Sequence, residues 1–209
     1  VYIPREDEQL PEEKQQIAIG MYGECDFYDL KGIVEQLLEA TGIEKYTFQP
    51  ETEDPSFHPG RCATVWVKGK KLGVLGQVHP QAAANFKIGA EVYSAILDFP
   101  TLLEFATDDR HYQALPKFPA TGRDIALILD KAVNVGEIAR VIEAHKGDIL
   151  REYALFDVYE GEQVGEGKKS VAYSLTFRAD DRTLTDGEVN QVMDKILAEL
   201  KKTLHAELR

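Results

Sequence analysis

Residues 168–190 read KKSVAYSLTFRADDRTLTDGEVN and lead from one regular element through a short loop directly into another. From the fourth position of this stretch, large apolar side chains alternate with small or polar ones, which is the period-two pattern of a strand with one apolar face. Thr185 stands three residues before Glu188, the spacing of a capping box. The loop between them carries Arg178 and Arg182. The stretch therefore predicts a strand, an arginine-bearing loop and a capped helix.

The rest of the second half predicts four further elements around this unit. Apolar periodicity and cap residues together indicate the order β-α-β-β-α-β. The predicted elements are strand 123–129, a helix from an Asn134 cap to about Ala144, strands 152–159 and 169–178, helix 186–204, and a short fourth strand within 206–209.

The first half predicts mostly antiparallel strands with helices packed against them. Asp26 is placed to cap a helix, and Gly42 to end it. Charge and two prolines indicate a linker at 106–119, with the domain boundary near Leu115. The predicted elements are strand 16–22, helix 27–41, a hairpin of 61–67 and 72–78 across a Lys68–Lys71 turn, helix 81–86 and strand 92–99.

Several ordered segments resemble one protein family. FPATGRD at 118–124, LFDVY at 155–159 and the stretch quoted above are similar to the C-terminal anticodon-binding domain of bacterial phenylalanyl-tRNA synthetase β chains. That domain is a ferredoxin-like βαββαβ module. Nearer the N-terminus, DFYDLKG at 26–32, FHPGR at 57–61 and GQVHP at 76–80 resemble the catalytic-like domain of the same β chain.

The resemblance implies an α+β chain with two domains. Residues 1–115 would be part of an inactive, class II synthetase-like antiparallel sheet domain, and residues 116–209 the ferredoxin-like anticodon-binding domain. Residues 1–115 contain no glycine-rich strand–helix motif with an arginine, which class II catalysis needs. The chain begins with Val1, and we expect it to be a fragment of a longer protein.

The resemblance also implies a function. The complete enzyme would be a class II ligase that joins phenylalanine to its tRNA with ATP and Mg²⁺, with the chemistry on an α chain in an α2β2 tetramer. The segments at 26–32 and 57–61 would then serve folding and α-chain contact. The fragment alone would hold no cofactor and would be inactive.

Charge restricts where RNA can bind. The net charge is -12, of which residues 1–115 carry -9 (10 basic, 19 acidic) and residues 116–209 carry -3 (14 basic, 17 acidic). An acidic surface repels phosphate at long range, so RNA contact requires a local cationic patch. The second half is the better place for one.

Cysteine content and hydropathy indicate the compartment. Cys25 and Cys62 are too few for a disulfide framework, and neither a leader nor a membrane span is predicted. We therefore expect a cytoplasmic protein. His58 and His79 lack the close pairing with another ligand that zinc sites show, so no metal site is predicted.

Strand alternation predicts one polar face on the sheet of the second half. An unpaired buried Asp157 would be costly, so Phe156 and Val158 are expected in the core and Leu155 outside it. With both helices on the apolar side, the opposite face would suit unstacked RNA bases. We call this side the polar face; it is predicted to carry Ala126, Tyr153, Asp157, Tyr159, Ala172, Ser174, Thr176 and Arg178.

The predicted RNA-binding residues are Arg123, Tyr153, Ser174, Arg178 and Arg182. A guanidinium binds phosphate in a bidentate way, and a tyrosine ring stacks on bases. Two alternatives stay open: pairing of the loop arginines with nearby aspartates, and a role of the tyrosine as a cross-strand packing partner. The family pattern has a second arginine where Gly122 stands, so one phosphate contact is missing here.

A ferredoxin-like fold also allows a different class of function. Such folds serve many roles, so a small-molecule regulatory or protein-interaction module is the alternative. Salt-sensitive binding of phenylalanine tRNA would favour the first function, and binding of a metabolite without an RNA response the second.

Overall fold

The computed structural model describes residues 2–3, 10–109, 112 and 115–209. The chain forms two compact units, residues 1–112 and 113–209. The α+β class and the ferredoxin-like second unit are confirmed.

The first unit is a five-stranded antiparallel sheet with order β3-β7-β6-β5-β4. A separate ladder pairs the short strands β1 and β2. The elements are β1 (Tyr2–Ile3), β2 (Glu12–Glu13), β3 (Gln16–Tyr22), α1 (Phe27–Ala40), β4 (Tyr46–Pro50), β5 (Phe57–Val67), β6 (Lys70–Val78), α2 (Pro80–Asn85), β7 (Val92–Asp98) and α3 (Phe99–Phe105).

Helix α1 provides one layer of this core. Leu30, Val34 and Leu38 are fully buried and pack with side chains of β5, β6 and β7. The predicted Asp26 cap is confirmed, because its Oδ1 accepts the amide hydrogen of Tyr28 at 2.7 Å. Gly42 follows the helix at φ +75°, and a Cβ there would lie 2.2 Å from the carbonyl oxygen of Thr107. This position therefore requires glycine.

Among the elements of the first unit longer than two residues, β4 and α3 were not predicted. Strand β4 pairs with β5, and its alternation of Tyr46 and Phe48 with Thr47 and Gln49 is only four residues long. Helix α3 takes the last residue of the predicted strand 92–99 and the residues that precede the predicted linker at 106–119. Asp98 caps it by accepting the Thr101 amide at 2.8 Å, and Pro100 lies in the first turn, where its missing N–H costs nothing.

The second unit is a four-stranded antiparallel sheet with order β11-β8-β10-β9, which is the ferredoxin-like arrangement. Helices α4 and α5 both pack on one side of it, around fully buried Tyr173, Leu175 and Phe177. The elements are β8 (Thr121–Asp130), α4 (Val135–His145), β9 (Leu150–Tyr159), β10 (Lys168–Phe177), α5 (Asp186–Leu204) and β11 (Glu207–Leu208).

The two predicted helix caps of this unit have different outcomes. Thr185 and Glu188 form the predicted capping box, with the Thr185 amide donating to the Glu188 carboxylate at 2.9 Å. Asn134 occupies the N-cap position of α4, as predicted, but its side chain makes no capping hydrogen bond.

A bulge at Phe156 changes the phase of β9. Tyr153 lies opposite Leu175, Leu155 opposite Tyr173, and Asp157 opposite Ala172, so Phe156 is the extra residue. Tyr153 and Leu155 therefore share the core side, and their predicted outward placement was wrong. Phe156 is 59% exposed, so its predicted burial was wrong. Val158 lies opposite core residue Val171, on the predicted side, although it is 43% exposed.

Candidate nucleic-acid interface

The polar face is the side of the second unit's sheet opposite α4 and α5. Register defines it, because Ala126, Ala172 and Asp157 are direct neighbours across three strands, and Asp124, Ser174 and Ala154 form the next row. Helices α4 and α5 pack on the other side, and a short 3-10 turn, Glu162–Val164, contacts β10. As the structure has it, the polar face comprises Asp124, Ala126, Ile128, Glu152, Ala154, Asp157, Tyr159, Ser170, Ala172, Ser174 and Thr176.

Arg209 crosses the polar face from β11 to β9. Its amide donates to the carbonyl oxygen of Ala126 at 2.9 Å, which continues the β11 ladder. Its guanidinium carbon lies 5.9 Å from the ring centroid of Tyr159, and Nη2 donates to Oε1 of Gln163 at 3.2 Å. Tyr159 and Arg209 thus form a cation–π pair on the polar face.

The sequence did not reveal this pair. Arg209 is separated from Tyr159 by fifty positions, and two strands lie between β11 and β9 in the sheet. Only the strand order brings the two side chains together. The sequence pointed to one half of the pair, because strand alternation predicted Tyr159 on the polar face. The bulge in β9 does not change that placement.

Small and acidic side chains make up most of the polar face. Ala126 and Ser174 are small and partly exposed, which suits the approach of a flat ligand, whereas Ala172 between the neighbouring strands is buried. Asp124, Glu152 and Asp157 add carboxylates to the same side. Carboxylates repel phosphate but accept hydrogen bonds from base N–H groups, so this face suits bases better than backbone.

The predicted RNA-binding residues occupy three different environments. Ser174 lies on the polar face as expected, between Asp124 and Ala154. Tyr153 lies on the opposite side: its ring packs against the core, and its hydroxyl donates to the carbonyl oxygen of Ala139 at 3.4 Å. Burial and the nearby Glu143 raise its pKa. Tyr153 is a packing residue in this structure.

Two of the three predicted arginines are held in ion pairs at the start of α5. Arg123 contacts Asp186 at 2.6 Å from the helix side of the sheet, since it pairs with Leu175. Arg182 contacts Asp181 at 3.0 Å and Glu188 at 2.5 Å. These contacts correspond to the alternative in which the arginines stiffen the loop.

Glu188 is the centre of this loop's polar network. Hydrogen bonds from the Thr185 amide, Arg182 and the Thr185 hydroxyl lower the pKa of Glu188 to about 2. The hydrogen bond from Arg182 to Glu188 raises the pKa of the Arg182 guanidinium. Both groups are therefore charged at neutral pH, and the loop geometry is fixed by the helix cap.

Arg178 differs from the other two arginines. It follows β10 directly, and it makes no ion pair with any residue that the structure describes. Its Nε atom is buried without a hydrogen-bond partner. Of the three arginines, it alone has a buried side-chain nitrogen, Nε, without a hydrogen-bond partner among the described residues.

The first unit contains no comparable cluster among its described residues. His58 Nδ1 accepts the Gly60 amide and His79 Nδ1 accepts the Gln81 amide, so both rings stabilise local turns. Burial raises the pKa of Cys62 to about 11, which keeps the thiol protonated. Over the described ranges, no three potential metal ligands group together, and no helix is both long and apolar enough to span a membrane.

Family models match both units of the chain. The model described as "Ferredoxin-fold anticodon binding domain" matches residues 116–209. The model described as "Phenylalanyl tRNA synthetase beta chain CLM domain" matches residues 1–99. Each model covers one of the two regions that the sequence had linked to the same family.

Curated relatives match over the full length of this chain. Those from Clostridium tetani, Clostridium acetobutylicum and Symbiobacterium thermophilum are 49%, 46% and 41% identical over 210, 210 and 221 residues. All three are named phenylalanine–tRNA ligase β subunit. The matches cover 100% of this chain and 26%, 26% and 25% of the relatives, so the chain spans about a quarter of their length.

Proposed function

Because the chain belongs to the family of phenylalanyl-tRNA synthetase β chains, we propose that it supports the ATP-dependent charging of phenylalanine tRNA. In this proposal the second unit binds the anticodon region of the tRNA. The first unit contributes to an inactive, class II-like core that contacts an α chain in an α2β2 tetramer. The complete enzyme works in the cytoplasm.

The polar face is the observation that carries the RNA-binding part of the proposal. On one side of the sheet it combines small side chains, the Tyr159–Arg209 pair and Ser174, whose hydroxyl is a hydrogen-bonding group for a base. Aromatic rings and guanidinium planes are the groups on which unstacked RNA bases stack. Arg178 lies at one end of β10, and Arg123 and Arg182 remain proposed contacts that would first have to leave their ion pairs.

Catalysis is assigned to the α chain, which would hold ATP and Mg²⁺. The described residues of the first unit do not fit that role, because they offer no group of carboxylates or histidines for a cation. The basic, glycine-containing stretch at 68–73 forms the turn between β5 and β6 and the first residues of β6. No helix follows this turn directly, so the stretch lacks the helix N-terminus of a phosphate-binding loop. We therefore assign no catalytic residue in this chain.

Two assays on the 209-residue chain test the proposal. We expect salt-sensitive binding of phenylalanine tRNA, stronger than binding of a tRNA with another anticodon, and no phenylalanine-dependent exchange of pyrophosphate into ATP. Filter binding at several salt concentrations and an exchange assay measure these results. Measurable exchange by a pure sample would contradict the inactive-core assignment.

The alternative function has its own outcome in the same experiment. Family membership does not favour a small-molecule regulatory module. Equal, weak binding of every tRNA, together with saturable binding of a metabolite, would replace the proposal with that alternative.

A further inference from the structure

Arg178 points to a contact that the base-binding face does not provide. We propose that Arg178, whose main chain is held by the ion-paired Arg151, binds a phosphate group of a single-stranded RNA backbone at the end of β10. The inference rests on the proposed RNA-binding function and adds a specific site and ligand group to it. It separates the residue that binds the backbone from those that bind bases.

The main-chain atoms of Arg178 are fixed by two hydrogen bonds. Its amide donates to the carbonyl oxygen of Ile149 at 2.8 Å. Its carbonyl oxygen accepts a hydrogen bond from Nε of Arg151 at 3.0 Å. The side chain therefore starts from an ordered position, and a second guanidinium is held next to it.

The unsatisfied Nε atom of Arg178 calls for an acceptor. This atom is buried and has no partner. Almost all buried polar groups in folded proteins are hydrogen-bonded, and an exception calls for a water, an ion or a ligand. Because the Nε atom is closed to solvent while the residue is partly exposed, the terminal Nη groups are the donors that a phosphate would meet, and their paired N–H groups match two of its oxygens.

The charges around Arg178 leave it as the free cation of this end of the sheet. Arg151 contacts Asp180 at 2.8 Å, Arg182 contacts Asp181 at 3.0 Å, and Arg123 contacts Asp186 at 2.6 Å. Arg182 also contacts Glu188, so these three arginines meet four carboxylates and none of them carries an excess positive charge. Arg178 has no such counter-ion among the residues that the structure describes, so its positive charge remains available for an anion.

The neighbouring polar face explains why the anion should be an RNA phosphate. Its carboxylates, Asp124, Glu152 and Asp157, disfavour phosphate over the sheet itself. A strand of RNA with bases over this face must carry its backbone along an edge or end of the sheet. Arg178 follows Thr176 of the polar face by two positions, so it lies where that backbone would leave the face.

The salt dependence of RNA binding tests this site. The anticodon stem-loop of phenylalanine tRNA is titrated into the 209-residue chain, its Arg178→Gln variant and a control variant, Arg140→Gln, which changes an exposed arginine of α4. Loss of one phosphate contact should reduce the slope of log Kd against log salt by about 0.7. We expect that reduction for Arg178→Gln alone, with the preference between anticodon sequences unchanged.

Single methylphosphonate linkages identify the phosphate. In the unchanged chain, neutralising one linkage should weaken binding, and the same linkage should have no effect in Arg178→Gln. An unchanged salt slope in a folded Arg178→Gln variant overturns the phosphate site, while continued RNA binding leaves the proposed function intact. Failure of the unchanged chain to bind RNA overturns both.

Discussion

Phe177→Ala should destabilise the second unit by about 3–5 kcal/mol, the usual cost of truncating a fully buried phenylalanine. Phe177 is the last residue of β10 and lies completely inside the core between the sheet and the helices. Its removal leaves a cavity that a well-packed core cannot fill. For a unit of this size, each kcal/mol corresponds to about 4–8 °C in melting temperature.

Phe156→Ala is the matched control for this prediction. It makes the same change on the neighbouring strand, but the ring is exposed on the bulge, so the free energy of unfolding should change by less than about 0.5 kcal/mol. A urea titration followed through assigned amide signals of the second unit measures both variants without interference from the first unit. A larger loss for Phe156→Ala would show that the phase of β9 is reversed.

Tyr159→Ala should weaken binding of the anticodon stem-loop about 5- to 150-fold, which corresponds to about 1–3 kcal/mol for the loss of one stacked base. The ring is 37% exposed at the edge of the sheet, and its guanidinium partner would lose the face on which it rests. Tyr159→Phe keeps the aromatic surface and should bind nearly as well as the unchanged chain. Fluorescence anisotropy of labelled RNA measures both.

Tyr22→Ala provides the comparison for the tyrosine change. Tyr22 is 81% exposed on β3 of the first unit, and its removal should leave affinity unchanged. If a folded Tyr159→Ala variant binds the RNA with the affinity of the unchanged chain, the cation–π pair does not stack on a base. Equal losses in Tyr159→Ala and Tyr22→Ala would mean that the RNA does not select the polar face.

Local patterns predicted those parts of the second unit that depend on neighbouring residues. The alternation through Tyr173, Leu175 and Phe177 placed the core side of β10 correctly, and the Thr185–Glu188 spacing placed the start of α5. Both signals are complete within a few residues. A sequence therefore contains all the information that these elements need.

The candidate site was predicted less well, because it depends on non-local geometry. A single extra residue at Phe156 moved Tyr153 to the core side, and no residue type in β9 marks that bulge. The Tyr159–Arg209 contact depends on the strand order β11-β8-β10-β9. The roles of Arg123 and Arg182 depend on which carboxylates the folded loop brings within reach.

Alanine methyl NMR tests most directly whether the polar face binds RNA. Ala126, Ala154 and Ala172 place methyl groups on the polar face, whereas Ala144 on α4 and Ala198 on α5 lie in the helix layer. When the anticodon stem-loop is titrated into the methyl-labelled chain, we expect saturable shifts of the first three signals and none of the other two. Shifts confined to Ala144 and Ala198, with the polar-face methyl signals unchanged, would contradict the assignment.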